Sequence, residues 1–119
     1  MAGSDFYAPR DLVLFTQSSV DPSSVLRTSK MLRKGRRARY VEVCVKMSDS
    51  FSEAVLVIEH EGERQFILAH IIDDELQALC DRWHAALVHQ MEQEQVAALL
   101  MIDQALRRKY VRGRLTLVS

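Results

Sequence analysis

The chain reads as an α+β domain, with a mainly antiparallel sheet packed by a short basic helix and a long C-terminal helix. Three observations carry that reading. Residues 73–110 contain no Gly or Pro and place Leu76, Cys80, Trp83 and Leu87 at helical spacing. Residues 39–72 hold three strand-like runs rich in β-branched and apolar residues, separated by turn residues. Short apolar runs at 12–15 and 115–118 add a strand at either end. The predicted order is β-α-β-β-β-α-β, with helices segregated on one face of the sheet.

The chain has 119 residues, enough for one hydrophobic core. Residues 1–10 read as a flexible N-terminal arm and 11–119 as a single domain. Leu12-Val13-Leu14-Phe15 is the first strand, closed by polar Gln17-Ser18-Ser19. A helix start follows: Asp21 suits the N-cap, and Pro22 suits the first helical position. That helix is expected to end at Gly35, with Arg33 and Lys34 favourably placed at the negative pole of its dipole.

From Arg39 to Met47 the residues alternate, which predicts Val41, Val43, Val45 and Met47 on one side and Tyr40, Glu42, Cys44 and Lys46 on the other. Ser48-Asp49-Ser50 is turn chemistry. Glu61-Gly62 makes a two-residue hairpin between runs 54–60 and 65–72. Its register sets Ile58 opposite Gln65, Leu56 opposite Ile67 and Val57 near Phe66. Both faces of this hairpin are then apolar, so helices or a second subunit should cover them.

The long segment opens Asp73-Asp74-Glu75 and closes Arg107-Arg108-Lys109, which suits a helix dipole. As one helix it would run about 55 Å, longer than a small domain is wide. Glu92-Gln93-Glu94-Gln95 interrupts its apolar stripe, and Val96, Leu99, Leu100, Ile102 and Leu106 resume on a shifted face. The segment is therefore either bent there or in contact with different things along its length. Gly113 ends it, and Leu115-Thr116-Leu117-Val118 reads as the closing strand.

The sixteen basic and sixteen acidic residues balance, but unevenly along the chain. Arg27, Lys30, Arg33, Lys34, Arg36, Arg37 and Arg39 lie together with no acid among them, and residues 107–114 hold five more bases. Ten acids fall between Glu53 and Glu94. Unless the fold intermixes them, the surface has one basic and one acidic region.

Catalytic chemistry is largely excluded. No glycine-rich phosphate loop, C-x-x-C pair or H-E-x-x-H motif occurs, and no cofactor is implied. His84 and His89, five apart, stand about 140° round a helix and do not share a face. Cys80 and His84 do share one, and as a pair would make a thiolate nucleophile; a core cysteine beside a boundary histidine explains the same spacing. The α-β-β-β-α order occurs in restriction-type nucleases, but the acid-x-lysine triplet of such a site is missing from Gln65-Phe66-Ile67-Leu68. No apolar run reaches the roughly 18 residues that span a bilayer, and no basic and apolar leader opens the chain. Unpaired Cys44 and Cys80 fit a cytoplasmic protein.

The expected role is binding, as an adaptor or accessory protein that dimerises through the long helix. Trp83, Leu87, Val96, Leu99, Leu100, Ile102 and Leu106 are the expected interface residues. The alternative is a nucleic-acid-binding accessory protein that sets the seven bases of 27–39 against phosphates. Only Tyr40 beside that run and Tyr110 beside the second basic run offer aromatic stacking, which favours backbone contact over sequence reading.

Overall fold

A computed structural model describes residues 4–17, 26–47 and 51–113. Seven strands form one sheet: β1 (Ser4–Tyr7), β2 (Leu12–Gln17), β3 (Leu26–Leu32), β4 (Arg37–Met47), β5 (Ser52–His60), β6 (Glu63–Leu68) and β7 (Val111–Gly113). A short 3-10 turn, Ala69–Ile71, leads into α1 (Asp74–Val88) and α2 (Glu92–Tyr110). The strand order is β3-β2-β6-β5-β4-β1-β7, and every pairing is antiparallel. The α+β architecture, an antiparallel sheet packed against helices, is the one the sequence predicts.

The β5–β6 hairpin has the expected register, with Ile58 opposite Gln65, Leu56 opposite Ile67 and Val57 opposite Phe66. Its turn places both Glu61 (φ 54°) and Gly62 (φ 79°) in the left-handed region. That is what a tight hairpin turn matched to the right-handed strand twist requires.

Residues 26–32 correct the helix expected over 21–34. They form strand β3, with Leu12 opposite Leu32 and Val13 opposite Met31. Backbone pairing with β2 and burial of Leu32 outweigh a helical pattern that had few apolar positions of its own. Gly35 (φ 83°) does not cap a helix but turns the chain from β3 into β4, donating its N–H to the Ala8 carbonyl at 2.9 Å. The Asp21-Pro22 signal, the 48–50 turn and the closing strand at 115–118 lie outside the described residues.

Part of the expected N-terminal arm is also sheet. Residues 4–7 lie between β4 and β7, and Phe6 is fully buried in the core. Its apolar ring against Tyr110 (centroids 6.2 Å apart) explains why this short segment is held.

Strand β4 departs from simple alternation at one point. A bulge between Tyr40 and Glu42 resets its phase, so Ala38, Tyr40, Val43 and Val45 face the helices. Val41 instead joins Cys44 on the other face, packed against Val55, Val57 and Phe66. The helix-side core is filled by Phe6, Leu14, Leu56, Ile58 and Ile67 from the sheet and by Leu76, Trp83, Ile102 and Leu106 from the helices.

The segment 73–110 is two helices. At the end of α1, Met91 N–H bonds the Ala86 carbonyl (2.8 Å) and Gln90 N–H bonds that of Leu87 (3.1 Å). This pair of backward bonds is a Schellman stop, and Gln90, at φ 56°, occupies the left-handed position where glycine is usual. The chain folds back there, which lets it fit a molecule 45 Å in its longest dimension. Glu92 and Glu94 then open α2 at its positive pole.

Candidate interaction surface

The two helices form an antiparallel hairpin lying on the sheet, and its open end is tied by charge. Asp73 caps α1, accepting from Leu76 N–H at 2.8 Å. It also accepts from Lys109 Nζ (2.6 Å) and from the Tyr110 hydroxyl at the end of α2. Burial alone would raise the Asp73 carboxyl, but these hydrogen bonds override it and hold the group below its ordinary range. Glu75 receives two bonds from Arg108 at 2.9 Å each and one from Lys109 at 3.1 Å. The acidic start of one helix thus neutralises the basic end of the other, and the opposite helix poles adjoin. The fold intermixes the charges that the linear sequence separates.

The turn end of the hairpin and the first half of α2 expose apolar side chains among polar ones. Val88 (74% exposed), Met91 (50%), Val96 (67%) and Leu100 (55%) are four of the six exposed large apolar side chains among the described residues, so exposed apolar surface is concentrated there. Val96, Leu99 and Leu100 line a groove of about 380 Å³ with Val43 of β4, rimmed by Glu42, Asp103 and Arg107. Asp103 holds the groove's far wall. It accepts from the Tyr40 hydroxyl and from Arg107 Nε at 3.0 and 3.2 Å, and the Arg107 guanidinium lies 4.7 Å from the Tyr40 ring centre. Burial, then the bond to Asp103, holds the Tyr40 phenol well above its ordinary range, so it stays a donor.

The seven residues expected to form the interface divide. Trp83, Ile102 and Leu106 are essentially fully buried in the chain's own core and are not available to a partner. The sheet they pack against claims them, because the apolar stripe of a helix on a sheet faces inward. Leu87 and Leu99 are half-buried at the edge of that core. Val96 and Leu100 are exposed.

The basic run divides too. Arg33 pairs with Asp11 (3.2 Å), Arg37 with Asp5 (3.5 Å), Arg39 with Glu59 (2.8 Å), and Lys30 with Glu61. Lys34 gives its backbone N–H to Asp11 at 2.8 Å, the largest influence lowering that carboxyl. Arg27, Lys34 and Arg36 have no ion-pair partner among the described residues.

Around Cys80 a cleft of about 210 Å³ gathers Glu53, His70, Asp81 and His84. Burial, then the negative charges of Glu53 and Asp81, pushes the Cys80 thiol up to about 12. A nucleophilic cysteine needs the opposite shift. His84 packs edge-on against Trp83, with centroids 4.8 Å apart. No group of His, Cys, Asp and Glu among the described residues is arranged to hold a metal ion. No helix among them is long and apolar enough to cross a membrane.

Comparison of the chain with protein-family models, with curated proteins and with solved structures finds no match.

Sequence reasoning did not find Val88 and Met91, whose exposure accompanies the stop at Gln90. Nor did it find the Tyr40–Asp103–Arg107 wall, whose members are 63 positions apart at the hydrogen bond. The i, i+4 spacing of Asp103 and Arg107 was the one available signal.

Proposed function

We propose that the protein is a non-catalytic assembly or adaptor protein that acts as a homodimer, joined by α2 across Val96 and Leu100. The exposed Val96 and Leu100, which line one groove with half-buried Leu99 and Val43, carry this reading, because contiguous exposed apolar surface marks interaction sites.

A second copy suits the charge pattern of α2. Glu92, Val96, Leu100, Asp103 and Arg107 follow one another at spacings of three and four, so they lie along one stripe of the helix. If two α2 helices pack antiparallel about a two-fold axis near Leu99 and Leu100, Glu92 of each copy meets the region of Arg107 in the other. Glu92 forms no ion pair among the described residues, and antiparallel packing sets opposite helix poles together. The two unpaired cysteines suit work in the cytoplasm. A nucleic-acid role through the 27–39 run would rest mainly on Arg27, Lys34 and Arg36, because the protein's own acids occupy the other four.

The test is the mass in solution by light scattering, at low and high salt, for the wild type and for Val96→Glu/Leu100→Glu. The expected result is a wild-type dimer at both salts and a monomeric double variant with unchanged circular dichroism, since both positions are exposed. Glu92→Lys alone should weaken the dimer by roughly threefold to tenfold at low salt. A wild type that remains monomeric at about 100 μM, well above the dissociation constant of a specific dimer, refutes the reading. So does a dimer that the double substitution leaves intact.

A further inference from the structure

A second surface differs from the dimer ridge in place and in chemistry. Tyr7, Ala8 and Pro9 at the end of β1 meet Lys109, Tyr110 and Arg112 in a groove of about 460 Å³. That volume is in the range of small-ligand sites. None of its six lining residues is acidic. Four other surface grooves each include carboxylates: Asp73 and Asp74 in one, Asp103 in the second, Glu59 in the third and Glu53 in the fourth. On a chain of zero net charge, a groove with two tyrosines, two cations and no acid has a definite chemical bias.

The two cations differ in their engagement. Lys109 is held by Asp73 and Glu75, and the hydrogen bond to Asp73 raises its ammonium well above the ordinary range. Arg112 has no carboxylate partner among the described residues. Asp5 stands opposite it in the β1–β7 register, but the Asp5 carboxylate lies 3.5 Å from Arg37 instead. The contact that Arg112 does make is with the Tyr7 ring, 6.0 Å from its centre, at the outer limit of a cation–π interaction. The guanidinium can therefore turn to an anion without breaking an ion pair.

The wall is fixed in advance. Ala8 N–H bonds the Arg36 carbonyl at 3.0 Å, and the Ala8 carbonyl accepts from Gly35 N–H at 2.9 Å. Tyr110 is held by its hydroxyl on Asp73 and by its edge contact with Phe6. A held Tyr110 and backbone beside a guanidinium without a carboxylate partner among the described residues lower the entropy cost of binding a flat anion.

We propose that this groove binds a nucleotide, free or within a single strand, with the base against tyrosine and the phosphate at Arg112. Stacking on tyrosine is tolerant of base identity, and arginine recognises phosphate through paired N–H donors.

The test follows amide shifts by NMR on the full chain during titration with AMP, adenosine, inorganic phosphate and a short oligothymidylate. AMP should move the amides of Tyr7, Ala8 and Lys109 to Arg112, and should bind at least about tenfold tighter than adenosine or phosphate alone. Arg112→Ala and Tyr7→Leu should each weaken AMP by at least about fivefold. Arg112 is exposed, so its replacement leaves the fold intact, and the dispersion of the spectrum verifies this. Tighter binding of the oligonucleotide, with a steep loss in salt, would assign the source as a strand; equal binding would assign the free nucleotide. The proposal fails if neither AMP nor the oligonucleotide moves these amides up to about 10 mM, the limit of meaningful affinity. It also fails if phosphate alone binds as well as AMP, or if both substitutions leave the shifts unchanged.

Discussion

Asp73→Ala should be among the most costly single changes at any partly exposed position of this protein. The side chain serves three partners at once: Leu76 N–H at the start of α1, and Lys109 and Tyr110 at the end of α2. Loss of the N-cap costs about 1 kcal/mol. Leaving the half-buried Tyr110 hydroxyl without its acceptor costs about 1 kcal/mol more. The Lys109 pair adds only about 0.5 kcal/mol, because it is partly solvated and Lys109 keeps Glu75 at 3.1 Å. The sum, about 2.5 kcal/mol, corresponds to a fall in Tm of roughly 10 °C for a chain of this size. Asp73→Asn keeps one oxygen for the Leu76 N–H but sets an amide NH2 where Oδ2 accepts from Lys109 and Tyr110, so it should lose about 1.5 kcal/mol. Urea unfolding followed by circular dichroism measures both. An alanine variant within about 0.5 kcal/mol of the wild type would refute the reasoning that one carboxylate joins the two helix ends. Equal losses in the alanine and asparagine variants would show that the bonds to Lys109 and Tyr110, not capping, dominate.

Acid should act through the same group. The folded state holds the Asp73 carboxyl below its ordinary range, so the unfolded chain takes up its proton first as pH falls. Its contribution is complete above about pH 5 and is lost progressively below about pH 4, and Asp73→Asn should flatten that part of the stability curve. Gln90→Gly should stabilise the protein by about 0.5–1 kcal/mol in urea unfolding, since glycine adopts the left-handed position that Gln90 holds under strain. Tyr40→Phe should cost about 1 kcal/mol by the same assay, because it removes the bond to Asp103 but keeps the ring under Arg107. Cys80, buried and with its thiol pushed up to about 12, should resist iodoacetamide at pH 8 until the protein is denatured, while half-buried Cys44 reacts first. Mass spectrometry after timed quenching reads the order.

The sequence was most legible where local chemistry and tertiary structure agree. The Glu61-Gly62 turn set the register of β5 and β6 because a two-residue loop leaves almost no choice of pairing. It was least legible where distant pairing decides. Residues 26–32 carry no strong strand alternation, and only β2 and the burial of Leu32 make them a strand. The stop at Gln90 was hidden because glycine, the usual marker, is absent, and the polar interruption of the apolar stripe begins only at Glu92. Trp83 and Ile102 looked like interface residues because a helix pattern shows which side is apolar, not whether that side meets its own sheet or another chain. Tyr7 entered the nucleotide groove only through the β1–β7 pairing, which no local pattern of the N-terminal residues announces.

Ser4 stands opposite Gly113 in that pairing, so strands from the two ends of the described chain are hydrogen-bonded neighbours. During synthesis β1 emerges early, yet β7 can reach it only after both helices have left the ribosome. Until then β1 has a partner on one side alone, and its outer edge of N–H and C=O groups is open to other strands. Closing the sheet is thus a late event with high contact order, and the half-made edge is where a nascent or newly released chain would most readily pair with the wrong neighbour. The same adjacency makes the fold a natural subject for circular permutation: a linker from Gly113 to Ser4, with a new opening at the exposed Glu61-Gly62 turn, would make the β1–β7 pairing local and move the long-range closure to β5 and β6.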